Sequence, residues 1–245
     1  MYLLHNLLLF ILTLAGGLAA LKYKVVEKHI HLVLAFSGAF LLSITVLHLL
    51  PETFEENGHK AGIFILLGFF LQLLIQQFTH GVEHGHIHTQ ALDHHAHSHA
   101  VHFNSIFLGL VVHAFMEGLP LGFEYRTAAT EPSLYLAVAA HKLPEVILLA
   151  TLAQTVKPAK TVIFIVLLFS LITPLGSVTA LLLGESYTIV SEGVAIVIPI
   201  VAGVFIHIAT TIFFESGTKH HMLTFSKILT IVLGVGAGLL TMLFE

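Results

Sequence analysis

VVHAFMEGLPLG, residues Val111–Gly122, lies midway along an apolar stretch long enough to cross a bilayer. Its partner AHKLPE, Ala140–Glu145, lies midway along the next such stretch. Each carries a histidine and a glutamate four residues apart, His113 with Glu117 and His141 with Glu145. On a helix, residues i and i+4 share one face a turn apart, so each stretch offers one nitrogen and one carboxylate to the same neighbour. A short polar loop joins the two, which should therefore run antiparallel. His113 then meets the depth of Glu145, and Glu117 that of His141. The four groups form a nitrogen and oxygen pocket at mid-membrane, a donor set suited to zinc and similar divalent transition metals.

A single pair of this kind would be weak evidence. With 19 His and 14 acids in 245 residues, chance spacing alone gives about one His-x3-acid pair. A lone histidine on an apolar helix is commonly a satisfied packing residue. The carboxylates change the balance, because an ionisable group at the bilayer centre costs roughly 2.5–3.5 kcal/mol even on the lenient insertion scale. Glu117, Glu145 and the adjacent Lys142 must be compensated by partners, and a metal site does so better than mutual packing.

Composition sets the class. Hydrophobic residues make up 56% and charged residues 10%, with a mean hydropathy of +0.94, where a soluble domain carries about 25% charge. The length suits one transmembrane domain over residues 1–245. There is no cysteine, which excludes disulfides and thiolate metal sites. A net charge of −4 offers no footprint for nucleic acid.

Eight apolar stretches approach the ~20 residues that a spanning helix needs. They fall at 3–21, 30–50, 61–79, 103–123, 133–153, 161–183, 189–213 and 224–244. The first lacks a basic flank and is longer than the apolar core of a signal peptide, so it reads as a retained span. The expected fold is an all-α polytopic bundle. Lys22, Lys24, Lys28, Lys157, Lys160, Lys219 and Lys227 fall on one side, and only Lys60 and Arg126 on the other. By the positive-inside rule the lysine-rich side is cytoplasmic and both termini face out. The outward loops carry Glu52, Glu55, Glu56, Glu124, Glu131, Glu185 and Glu192, which either draw cations to the mouth or only solubilise it.

Further residues have a chemical and a bland reading. His48 and Glu52, in HLLPE at the outer end of the second span, could form an access site or be interfacial side chains. Proline breaks in spans often lie beside transport sites. Residues 79–102, THGVEHGHIHTQALDHHAHSHAVH, hold nine of the 19 histidines. This tract, at about 80–102, is expected to be a disordered cytoplasmic loop that binds exchangeable metal. In the sixth span Ser170, Thr173, Gly176, Ser177 and Thr179 favour close helix contacts, and Pro174 is placed to bend the helix. In the seventh, His207 is a candidate exit residue or a packing histidine, and Glu215 ends the span on the inner side. Gly234, Gly236 and Gly238 in the last span read as a packing face. Lys142 either pairs with the glutamates as a counter-ion or snorkels away to water.

These stretches resemble a known family. HAFMEGLPLGFE (113–124) is similar to the fourth-helix signature of the Zrt/Irt-like (ZIP) divalent-metal transporters, and HKLPE (141–145) to the fifth-helix one. HLLPE, the His-rich tract and the outward termini match as well. The resemblance implies eight helices in a 3+2+3 arrangement. It implies uptake of zinc, or of Fe2+ or Mn2+, into the cytoplasm by alternating access. The central ligands carry over to His113, Glu117, His141 and Glu145. Two positions depart from the two-metal form of the motif, Ala114 where it has Asn and Lys142 where it has Asp, which points to one metal. Met116 stands where the family has Pro, and Pro120 follows Glu117, so the expected kink moves outward.

Zinc transport is the first reading, with metal as substrate and no catalytic cofactor. The alternative is an intramembrane zinc-dependent metalloenzyme. Such an enzyme needs a vacant metal position beside a base, and two His plus two Glu already fill a tetrahedron, so the chain is read as no enzyme. The expected partners are divalent metal ions and the lipid bilayer, with a second copy of the chain as a candidate. A multi-pass protein of the plasma membrane or an organelle membrane fits equally.

Overall fold

The computed structural model describes residues 2–22, 25–79, 103–122, 131–186, 188–215 and 224–243. The histidine-rich tract expected to be disordered lies outside these residues. Among the described residues there is no strand. The helices are α1 (Tyr2–Lys22), α2 (Val25–Ile44), α3 (Leu50–Asn57), α4 (Ala61–Thr79) and α5 (Phe103–Gly118), then α6 (Glu131–Val156), α7 (Ala159–Ser186), α8 (Thr188–Glu215) and α9 (Phe225–Thr241). In hydrocarbon every backbone N–H and C=O must be satisfied within the segment, which leaves helices as the solution for apolar runs of this length.

Five stretches are long and apolar enough to cross a membrane: Leu3–Lys22, His29–Gln77, Phe103–Gly122, Pro132–Val156 and Ala159–Leu183. Two shorter apolar helices, Ile196–Ile212 and Phe225–Thr241, follow. The 49 residues of His29–Gln77 hold two of the expected spans. The chain is an integral membrane protein.

The second expected span ends near residue 50, whereas the helix runs on to Asn57 through a π turn at Thr45–Leu49. Pro51 explains the turn. It has no N–H to give, and its ring crowds the carbonyl four residues back. Just ahead of it the Leu50 N–H reaches back five residues to the Thr45 carbonyl, which widens the helix. Gly58 ends α3 at φ 53°, ψ −140°, a conformation that side chains disfavour, and the chain turns there into α4.

Backbones approach closely where side chains are missing, as expected when packing rather than hydrophobicity drives association in lipid. A Cβ on Gly68 of α4 would lie 1.8 Å from the Ile200 carbonyl oxygen of α8, and one on Gly203 2.0 Å from that of Ile65. Gly118 and Gly122 lie likewise against the Thr173 and Ser177 carbonyls of α7, both at 2.1 Å. Gly234 and Gly238 of α9 pack on α2, while Gly236 has nothing near it.

The helices pack in two interleaved groups. In one, α1 lies on α6 and α7, and α7 lies on α5. In the other, α4 lies on α8, α8 on α2, and α2 on α9. The groups meet where α2 touches α6, α4 touches α5 and α7 touches α8.

Candidate metal centre

α5 carries His113 and Glu117 on one face, and α6 carries His141 and Glu145 on one face, each pair a turn apart. The position of α5 is set by α7. Glycines 118, 122 and 176 let the two backbones touch, and the Thr173 hydroxyl donates to the Ala114 carbonyl at 3.0 Å. α5 stays regular through Glu117 and stops at Gly118, with Pro120–Gly122 forming a short 3-10 turn. The break thus lies on the C-terminal side of the glutamate. α6 runs unbroken through Pro144.

The two pairs converge. His113, Glu117, His141 and Glu145 are all 0% exposed, and each offers a ligand atom within 4.8 Å of the others. His113 Nε2 lies 3.2 Å from Glu117 Oε1 and 3.7 Å from Glu145 Oε1, and His141 Nε2 lies 3.6 Å from Glu117 Oε1. A tetrahedral ion with bonds of ~2.0–2.1 Å has edges of roughly 3.3 Å. The separations therefore approach those of a four-coordinate site, and side-chain shifts of about 1 Å would close the widest pair around an ion.

Each carboxylate divides its oxygens. The Oε1 atoms face the imidazoles, and the Oε2 atoms face Lys142. The Lys142 ammonium lies 2.5 Å from Glu117 Oε2 and also pairs with Glu145 Oε2. It does not snorkel: it is 1% exposed, with Phe169 of α7 beneath it at 5.1 Å. The ammonium and the ring face attract one another.

The sequence reading overlooked a pair of glutamines on α4. Gln72 Oε1 lies 3.4 Å from His113 Nδ1, and Gln76 Oε1 lies 2.8 Å from His207 Nε2. An amide oxygen only accepts, so in both cases the ring nitrogen donates. The available signal was three amides in an otherwise apolar stretch, LQLLIQQF, with Gln72 and Gln76 at i and i+4.

The remaining candidates sit apart from this cluster. His207 on α8 is buried, bonded to Gln76 and edge-on to Phe69 at 4.8 Å. His48 is buried in the π turn, with Nε2 2.9 Å from Thr241 Oγ1 of α9. Glu52 lies on α3 and is partly exposed. Glu215 closes α8, and its side chain lies outside those described. The small polar residues of α7 do make close contacts, at Thr173, Gly176 and Ser177.

A profile of the ZIP zinc transporters matches residues 80–244, which is two-thirds of the chain and includes all four clustered residues. The chain belongs to the ZIP zinc transporter family. Among individually curated proteins none matches. ZIP membership implies transport of divalent metal ions, and the buried His/Glu cluster fits a site for them. The match leaves out residues 1–79, so it does not cover Gln72, His48 or Glu52.

Proposed function

We propose that this ZIP protein takes zinc into the cytoplasm by alternating access, with His113, Glu117, His141 and Glu145 as its transient ligands. The observation that carries the reading is the convergence of two imidazoles and two carboxylates, all at 0% exposure, from α5 and α6. Equal numbers of nitrogen and oxygen donors, all within 4.8 Å of one another, favour zinc, whereas Mn2+ prefers a shell of oxygens. Four protein ligands close a tetrahedron and leave no open position for a reacting water, which argues against an enzyme.

The inward direction rests on the family resemblance, and the topology says which face is the inside. Counting His29–Gln77 twice and adding the two shorter helices gives eight crossings, the number of the 3+2+3 arrangement with both termini outside. The lysine asymmetry then puts the tract at 80–102 in the cytoplasm. His48 and Glu52 would lie on the access side, and His207 and Glu215 on the exit side. Lys142 serves as a tethered counter-ion for the two glutamates and keeps the site to one metal.

The test is zinc uptake into reconstituted liposomes by the intact chain and by Glu117→Ala. Zinc accumulation by the intact chain, lost in the variant at equal membrane levels, is expected. Equal uptake by both would overturn the reading.

A further inference from the structure

Gln72 stands out among the buried polar groups because stability does not account for it. The residue is 0% exposed on α4. Its amide oxygen lies 3.4 Å from His113 Nδ1, and its amide nitrogen has no hydrogen-bond partner. A buried donor left unsatisfied carries a desolvation penalty that leucine or methionine would avoid. Its platform is firm, since α4 is seated on α8 by the close approach at Gly68 and Gly203. The next glutamine on this face, Gln76, is already bonded to His207.

We infer that Gln72 is the positioning residue that makes His113 a metal ligand. A neutral imidazole carries one proton, on either Nδ1 or Nε2. Only the Nδ1–H form leaves a lone pair on Nε2, the atom that faces Glu117 and Glu145. An acceptor opposite Nδ1 selects that form and fixes the ring, as the partners of metal-bound histidines do. A carboxylate would serve the same purpose at the cost of a third anion beside Glu117 and Glu145. The amide supplies the acceptor without charge. α4 and α5 belong to different helix groups, so the bond also ties the ring to the group that does not carry the ligands.

This inference rests on the four-ligand transport reading and sharpens it to metal choice. Without the acceptor, His113 partitions between tautomers and ring orientations. The site is left with two carboxylates and His141, a set richer in oxygen. Zinc should lose more than manganese, because imidazole favours the former and carboxylate the latter.

The experiment measures zinc uptake in liposomes, with Mn2+ as competitor, for the full-length chain, Gln72→Met, Gln72→Glu and His113→Ala. Gln72→Met keeps the length and removes the acceptor. It is expected to raise the zinc KM roughly 10–100-fold, the usual loss when the partner of a metal ligand is removed. Its maximal rate should stay within about 3-fold, and the inhibition constant for Mn2+ should move by less than about 3-fold. The ratio of the two constants is independent of how much protein folds, so a poorly expressed variant still gives a reading. Gln72→Glu, which retains an acceptor, should keep the zinc KM within about 3-fold of the intact chain. An unchanged zinc-to-manganese ratio in Gln72→Met, or a ratio in Gln72→Glu shifted as far as in Gln72→Met, would overturn the inference. His113→Ala separates the two levels. Normal uptake by that variant would sink the four-ligand reading itself, whereas its inactivity beside a silent Gln72→Met would remove only the role of Gln72.

Discussion

His48-Leu-Leu-Pro-Glu52 and His141-Lys-Leu-Pro-Glu145 differ at one position, Leu49 against Lys142. Their surroundings differ far more. The first stretch passes through a π turn, and its histidine bonds to Thr241 at the end of α9. The Thr241 hydroxyl donates to the Gly238 carbonyl at 2.6 Å, so its oxygen is what receives His48 Nε2–H. Glu52 is partly exposed. The second stretch lies in unbroken α helix, its histidine and glutamate fully buried and faced by a second pair on α5. A histidine and an acid four residues apart become a site only when another helix brings a matching pair to the same depth. The lysine accompanies the place where two carboxylates meet.

The largest expected effect sets these two stretches directly against each other. Alanine at His113, Glu117, His141 or Glu145 should lower zinc uptake by about 100-fold or more, since a four-coordinate ion loses most of its affinity with one ligand. Alanine at His48 or Glu52 should lower it by only a few-fold, the scale of an access site that concentrates cations without holding them. Initial uptake rates, normalised to protein in the membrane, decide the matter. Equal losses in both sets would erase the distinction.

Much of this is legible in the sequence. Apolar runs of about 20 residues forced helices, and the spacing of His113/Glu117 and His141/Glu145 fixed which faces they share. What stayed hidden depends on neighbours distant in sequence. Lys142 had two open readings, and only the approach of both glutamates and Phe169 removes snorkelling. Gln72 and Gln76 carry no charge and so raised no alarm, although each ends opposite a histidine from another helix. The π turn arises from the competition between Pro51 and the helix ladder, which a count of apolar residues does not register. The interleaved packing of α4 on α8 and α1 on α6 depends on Gly68 and Gly203 and on similar small residues, whose partners are not written beside them.

Making the first stretch resemble the second should fail. Leu49 is 0% exposed, and Glu52 is the only acid within one turn after it on the same helical run. Leu49→Lys would bury an ammonium without the pair of carboxylates that Lys142 has. The cost is at least ~2.5–3.5 kcal/mol if the charge stays at depth, enough to lower the folded-to-unfolded ratio by roughly 70-fold or more. Thermal stability in detergent and the amount of monodisperse protein recovered are the measurements. A variant as stable as the intact chain would show that a buried lysine on this bundle needs no paired carboxylates.

Making the second stretch resemble the first should give a milder and more informative result. With Lys142 charged and both glutamates ionised, the metal-free site carries one net negative charge, and the site holding a divalent ion carries one net positive charge. Because the cost of burying charge rises with its square, the two forms are then comparably expensive to move through the bilayer. Lys142→Leu changes the pair to two negative charges and none. Two changes should follow in opposite senses for the cell. Zinc should bind more tightly, because the ammonium no longer repels it; at about 4 Å in an effective dielectric of 20 such a charge acts with ~4 kcal/mol per unit charge, most of it offset by rearrangement and water. Return of the metal-free carrier should slow, because two uncompensated carboxylates must cross together. The expected signature is a fall of roughly 5-fold in both KM and maximal rate, unlike the rise in KM expected for loss of a ligand. Lys142→Arg, which keeps the charge, should restore the maximal rate in part. Lys142→Asp, in a chain shortened by residues 81–99 to remove the loop histidines, should bind a second zinc ion. If Lys142→Leu left both constants unchanged and Lys142→Asp still bound one, the lysine would be a packing residue that happens to lie between two carboxylates, and the single difference between the two stretches would have no bearing on transport.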